Sequence, residues 1–422
     1  MPCLSWRSRR FLPGILGVLL PAAGCQSGPP APATGAVHRI EAPFIRQEPN
    51  WCGQAALAAC LGHWGKSIPQ EDIARSTYAA SLRGTLTTDL VLFARKQGFW
   101  ARSFHGGSID DLKRMIRQDI PVIILLKSGP AWSPTRHYDL IIGFDEPRRA
   151  LIAHTGARAG ALIPLDRFKK TWERTGRWAM IVLPPDTSPE GLEGEDYLEI
   201  GLLAEKRAML DAARTHYEKA LGFPATAKTA LFRLGNIDIK EKHFASAGNR
   251  FQNLLRQEEL SETPSPSWKA ILQNHCAWVI LESGGGPGEA EALVVAALER
   301  DPDRKVFYLD TLARVRIFQG RTEEALKILA EAGQAIPPGT PDTVAADIRA
   351  TLRLHASEAH RLAGKPREAA QALGEALLEA HDPCLVKDLR EAVDRMEKAT
   401  RPGIAPETKT APESPAPSIP QP

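Results

Sequence analysis

The stretch QEPNWCGQAALAACLGHWG, residues 47–65, sets Cys52 between a tryptophan and a glycine at the head of a run of small apolar residues. A thiol attacks as its thiolate, and an ordinary thiol titrating near about 8.5 holds little of that form at neutral pH. A nucleophilic role therefore needs something that lowers it. A helix starting at or just after Cys52 would aim its unpaired N–H groups and positive dipole end at the sulfur. His137, opening the apolar run HYDLIIGFD far downstream, can supply an imidazolium beside it. Gln47, five residues before the cysteine, can point its side-chain amide at a developing oxyanion, with the backbone N–H of Cys52 as second donor. The chemistry is attack on an acyl carbon through a thioester. A lone cysteine is more often a buried packing residue; the company of Gln47, the Cys-Gly helix start and His137 on a strand tips the reading toward a nucleophile.

These groups have to be positioned by elements distant in the chain. CGQAALAACLGHW and SIDDLKRMIRQ predict helices, the second opened by Ser108 as N-cap with Asp111 three residues on. IPVIILLK, HYDLIIGFD, ALIAHTG and WAMIVLPP predict strands, rich in β-branched residues and bounded by Gly, Pro and Asp. DEPRR suits a turn joining the second and third of these as an antiparallel hairpin. Helices followed by a run of strands imply an α+β domain from Val37 to about residue 185. His63 and Trp64 read as a helix cap and packing, and Cys60 as a small core residue.

PFIRQEPNWCGQAALAACL together with RHYDLIIGFDEPRRALIAHTG resembles the papain-like double-glycine-leader peptidases, which process bacteriocin precursors. Within them it is most similar to a lipoprotein branch in which such a domain precedes tetratricopeptide repeats. The resemblance implies an α+β papain-like cysteine peptidase domain over 37–185, with Gln47 as oxyanion donor, Cys52 as nucleophile and His137 as general base and acid. Two positions depart from the family pattern. Gln54 stands where alanine or proline usually follows Cys-Gly, a change that would narrow the entrance to the site. The aspartate that orients the histidine, in an NDP-like segment of the following strand, is replaced by AHTG. His154 or Thr155 occupies its approximate place, while Asp139 shares a strand face with His137. The orienting group stays open among these three, with His154 carried alongside Cys52, His137 and Gln47 as a candidate catalytic residue, although it also reads as a polar strand-end residue.

Beyond about residue 195 the strands stop and the sequence repeats. Gly201 and Gly235, Ala213 and Ala247, Tyr217 and Phe251, and Ala220 and Leu254 are each 34 residues apart, the period of the tetratricopeptide repeat. Later copies keep the phase, with Ala290, Val294 and Ala297, then Ala325, Leu329 and Ala332, then Ala369, Leu373 and Ala376. This predicts an all-α tetratricopeptide-repeat solenoid over 195–400, whose stacked helix pairs present a surface to a protein or peptide partner. Residues 184–196 read as a linker, and SETPSPSW as a loop interrupting the register between the second and third copies.

The two ends read differently from the body. Residues 1–24 combine a basic start with a short apolar run and small residues, the pattern of a signal peptide. LPAAGC resembles a bacterial lipobox with Ala22 where leucine is usual, which implies lipidation at Cys25 and anchoring to a membrane. Gln26 after that cysteine favours the periplasmic face of an outer membrane. Residues 25–36 then form a flexible spacer, and the proline-rich segment 401–422 predicts a disordered tail. Loss of residues 1–24 removes three arginines and no acid, taking the formal charge from +3 to zero and leaving no footprint for nucleic acid. The other cysteines show neither zinc spacing nor a disulfide framework, and there is no phosphate-binding glycine loop, so no metal or other cofactor is implied. The sequence thus predicts a membrane-anchored periplasmic cysteine peptidase whose repeats recruit substrate or partner. The competing expectation is an inactive peptidase-like adaptor, suggested by the missing aspartate; a third keeps the thioester chemistry for a non-peptide substrate.

Overall fold

The computed structural model describes residues 36–130 and 132–400. The expected signal segment, Cys25, the spacer up to residue 35 and the tail 401–422 lie outside the described residues. The chain divides into two compact units between Leu234 and Gly235.

In the first unit, β1 (Val37–Arg39) leads into α1 (Cys52–His63), followed by α2 (Gln70–Thr77), the short pair β2 (Tyr78–Ala79) and β3 (Gly84–Thr85), and α3 (Thr87–Lys96). Then come β4 (Trp100–Phe104), α4 (Ile109–Arg117), β5 (Val122–Ser128), β6 (Thr135–Asp145), β7 (Ala150–Thr155), β8 (Arg158–Pro164), α5 (Leu165–Glu173) and β9 (Ala179–Leu183). The sheet runs β4-β9-β5-β6-β7-β8 through antiparallel neighbours, with β1 added to β6. The predicted helices and strands are all present, and DEPRR joins β6 to β7 as an antiparallel hairpin. Ser108 and Asp111 form a reciprocal capping box at the start of α4.

The long strand β6 is the frame of the unit. Its first part pairs with β5 and its last part with β1, and a register shift between Ile141 and Gly143 marks the change. Gly143 is required at that point because a Cβ there would lie 2.4 Å from the carbonyl oxygen of His38 on β1. Against this sheet lies α1, apolar and small all round, buried from Gly53 to Leu61. Such a helix belongs inside a core rather than on its surface.

The unit does not stop at the last strand, where the sequence places its boundary. α6 (Gly194–Glu205) and α7 (Leu210–Ala220) group with the peptidase-like fold. Buried Asp196 pairs with Arg102 of β4, and Glu199 accepts a 3.0 Å hydrogen bond from the Trp100 indole. His216 and Tyr197 bind carbonyls of the connecting segment, at Pro185 and Pro189. These polar ties fasten the first repeat-like helix pair to the sheet edge.

The second unit is a run of packed helices. After α8 (Pro224–Lys240), which spans the division, come α9 (Phe244–Glu259), α10 (Pro266–Glu282), α11 (Pro287–Arg300), α12 (Lys305–Phe318), α13 (Thr322–Gln334), α14 (Asp342–Leu362), α15 (Pro366–Glu379) and α16 (Pro383–Thr400), each in contact with the next along the stack from α9 onward. The 34-residue pattern has a direct packing meaning. A Cβ on Gly201 would lie 2.5 Å from the Tyr217 ring, and one on Gly235 2.6 Å from the Phe251 ring. The small residue on one helix is the seat of the aromatic on its partner. Ala290, Val294 and Ala297, and their counterparts in α13 and α15, are buried in the same way. SETPSPSW is only partly a loop: Ser265 caps α10, and Pro266 to Trp268 form its first turn. Arg314 of α12, largely buried, bonds both Glu282 of α10 and Glu358 of α14 and so ties three helices across two repeat boundaries.

Replacing Phe251 by alanine empties the space that Gly235 leaves for it. Urea unfolding followed by circular dichroism should show a loss of about 3–5 kcal/mol in the repeat unit, the usual cost of a large aromatic removed from a core; an unchanged transition would contradict the proposed packing.

Candidate active site

Cys52 is the first residue of α1. Asn50, just before it, takes the left-handed conformation at φ 66°, which asparagine tolerates well and which turns the chain into the helix. The sulfur therefore sits among N–H groups that no helical carbonyl can use. It receives the backbone N–H of Gly53 and, from the sheet, that of Tyr138. Gly53 makes the approach possible: a Cβ there would lie 3.2 Å from both the Tyr138 ring and Leu90. The Tyr138 ring stays in place through its hydroxyl, which donates to the Thr85 carbonyl at 3.3 Å, and an edge contact with Trp178.

His137 precedes Tyr138 on β6 and hydrogen-bonds the Cys52 sulfur. Its Nε2 lies 3.1 Å from Oδ1 of Asp139, two residues further along the strand and almost wholly buried. The contact with this carboxylate favours the charged form of the ring. The consequences for protonation are clear in direction. Burial alone would push the Cys52 thiol up, but the bond to His137, the Tyr138 N–H and the imidazolium charge outweigh it and bring the thiol below its ordinary value. Burial alone would lower His137, but the bonds and charges of Asp139 and Cys52 push it up to about 10. Both shifts favour the thiolate and imidazolium form of the pair. Cys60, on the same helix with no such partners, is pushed by burial up to about 12.

Gln47 lines a hollow beside Cys52, together with Ile45, Ala55, Ala59, Tyr138 and His154. Its segment is held from three sides. The Gln47 N–H donates to the Gly156 carbonyl at 3.4 Å. The buried amide of Gln70, at the start of α2, accepts from the Glu48 N–H at 3.2 Å and donates to the Arg46 carbonyl at 2.9 Å, bracketing Gln47. The His154 ring bonds the Ala42 carbonyl at 3.0 Å and accepts from the Gly160 N–H at 3.1 Å.

The expected set is thus divided. Cys52, His137 and Gln47 converge on one place. His154 does not face His137: it pairs with Leu140 in the sheet, so its side chain takes the face of Leu140 and Tyr138, opposite that of His137 and Asp139. Both of its nitrogens serve the backbone, and burial together with Arg39 holds it below the ordinary histidine value, as a neutral wall of the hollow. Thr155 lines the hollow too, without approaching His137 as a charge. Gln54 departs from expectation as well. It is fully buried and turned toward Thr77 and Thr85, securing α2 and β3 rather than narrowing the entrance. Gln70 carries no local signal, since its partners lie 22 and 24 residues away.

Residues 39–180 match the model of the Peptidase C39-like family. The chain carries an α+β C39-like peptidase domain followed by a helical repeat region resembling tetratricopeptide-repeat proteins. Among solved structures, it is similar to a candidate C39-like peptidase from Bacillus anthracis, at 16% identity over 37% of this chain and 100% of that one, with a TM-score of 0.30. The double-glycine-motif protease of an AMS/PCAT transporter, solved with its leader peptide, is 21% identical over 35% of this chain and 94% of that one, with a TM-score of 0.28. A thermophilic tetratricopeptide-repeat protein of Thermus thermophilus is 17% identical over 47% of this chain and 98% of that one, with a TM-score of 0.37. No curated protein matches the chain significantly.

Among the described residues, one trio has the composition of a metal site, Asp238, Glu241 and His243. Buried Asp238 instead accepts from Ser246 at 2.6 Å and Arg250 at 2.8 Å, which makes it a latch between α8 and α9.

Because His137 and the Tyr138 N–H hold the Cys52 thiol below its ordinary value, iodoacetamide should label Cys52 faster than an ordinary thiol on the acid side of neutrality, where an ordinary thiol slows about tenfold per pH unit. Peptide mapping by mass spectrometry separates Cys52 from Cys60, and a rate that follows an ordinary thiol would contradict the ion pair.

Proposed function

We propose that the protein is a cysteine peptidase of the cell envelope, acting on a peptide bond through an acyl-thioester. The observation that carries this reading is His137 placed between Cys52 and the buried carboxylate of Asp139. The carboxylate absent from β7 is thereby supplied from β6 itself, which removes the ground for a binding-only domain and favours catalysis.

The chemistry follows from the resting charges. The Cys52 thiolate adds to the scissile carbonyl, and the resulting oxyanion faces the Cys52 backbone N–H and the side-chain amide of Gln47. His137 gives its proton to the departing amine, leaving the acyl group on sulfur. Water then enters, His137 takes a proton from it, and hydrolysis of the thioester restores the thiolate and imidazolium. Asp139 is a positioning residue: it touches neither sulfur nor substrate but holds the ring and favours its charged form. The repeat helices recruit substrate or a partner, and lipidation at Cys25 tethers the whole to the periplasmic face of an outer membrane. The leader peptide bound by the AMS/PCAT protease supports a peptide as substrate.

Three experiments test this reading. Cys52→Ala and His137→Ala should abolish hydrolysis of a peptide library, by on the order of 10²-fold or more; undiminished turnover in Cys52→Ala would reject the reading. Asp139→Asn should lower kcat and move the midpoint of Cys52 labelling to higher pH, because the lost negative charge lets His137 fall and the thiol rise. Gln70→Ala, by releasing the segment on both sides of Gln47, should lower kcat while leaving the labelling profile of Cys52 in place; a shift in that profile would show that Gln70 acts on the thiol instead.

A further inference from the structure

The segments that carry the hollow's walls and His137 bear four cations without a side-chain partner among the described residues. Lys127 and Arg136 are directly opposite each other on β5 and β6. Like charges in that position repel, yet neither forms an ion pair or side-chain hydrogen bond among the described residues. Arg136 shares a strand face with Tyr138, which lines the hollow and feels the charges of both Arg136 and Cys52. Two further exposed arginines stand on segments that frame the hollow and likewise have no side-chain partner: Arg46, next to Gln47, and Arg158, opposite Thr155 across the β7–β8 turn. The acids on the rim of the hollow are Glu48 and Asp89. Arg314, Arg316, Arg321, Arg349 and Arg353 of the repeat helices are each paired with glutamates, whereas Lys127 and Arg136 face each other. A cross-strand pair of cations next to His137, with no acidic side chain bonded to it, suits an anion that arrives with the substrate.

Resting on the peptidase reading above, we infer that the site selects an acidic peptide segment, with carboxylates next to the scissile bond lying against Arg136 and Lys127. The thiolate itself is negative, so the cations also serve to bring an anionic chain to an anionic sulfur.

The test uses the full chain and reads binding rather than turnover. A Glu-Gly decapeptide and its Gln-Gly counterpart compete with iodoacetamide for Cys52, and the labelling rate reports occupancy. The glutamate peptide should protect at severalfold lower concentration, and that advantage should shrink by about two- to fivefold for each of Lys127→Gln and Arg136→Gln and fade with added salt. The labelling rate without peptide should be the same in these variants, showing that the fold and the thiol are intact. Equal protection by the two peptides, or an advantage that survives the double variant, would overturn the inference while leaving the peptidase reading untouched. If instead Cys52→Ala still hydrolyses peptides, the peptidase reading fails, while isothermal titration of the same two peptides still measures the charge preference.

Discussion

A sulfur anion in a mostly buried place is expensive to maintain, because burial removes the water that would stabilise it. In this protein the cost is offset by His137, which bonds the Cys52 sulfur and approaches the carboxylate of Asp139. The arrangement needs a helix start and a strand at close quarters. α1 brings the sulfur with its unsatisfied N–H groups, and β6 brings the imidazole, the carboxylate and the Tyr138 N–H. The apolar seal around α1 and the bent, doubly paired β6 can be understood as the support that fixes these two elements.

The remaining member, Gln47, comes from an irregular segment, and irregular segments have no ladder to hold them. Here the holding is done by side chains reaching in from outside: the amide of Gln70, the ring of His154 and the turn at Gly156. A donor meant for an oxyanion is useful only if it is in place before charge develops. The three-sided clamp gives a loop residue some of the fixity of a residue on a helix or strand.

Much of this was legible in the sequence, for reasons that differ by residue. Cys52 and Gln47 lie within one short motif, and His137 opens a strand whose β-branched pattern is unmistakable. The 34-residue spacing translates directly into small residues that seat aromatics. The orienting group was harder. That Asp139 shares a face with His137 follows from the strand period, but that His154 faces the other way depends on the pairing of Leu140 with His154, and a register of that kind has no local mark. The role of Gln70 was invisible because it is made of contacts across more than twenty residues. The family match ends at residue 180, near the change from strands to helices, while the compact unit runs on to Leu234, where Arg102 and Trp100 draw α6 onto the sheet. Gln54 shows the converse, a motif position whose neighbours suggest the cleft but whose side chain serves the core.

One helix carries two thiols of opposite character. Cys52 at the head of α1 is held below its ordinary value, while Cys60, eight residues on and about 12 Å along the axis, is sealed and pushed up to about 12. They are too far apart to join in a disulfide. Oxidation of the Cys52 sulfur to the sulfenic state would thus find no resolving cysteine along its own helix, and recovery would depend on a thiol supplied from outside before the irreversible acids form.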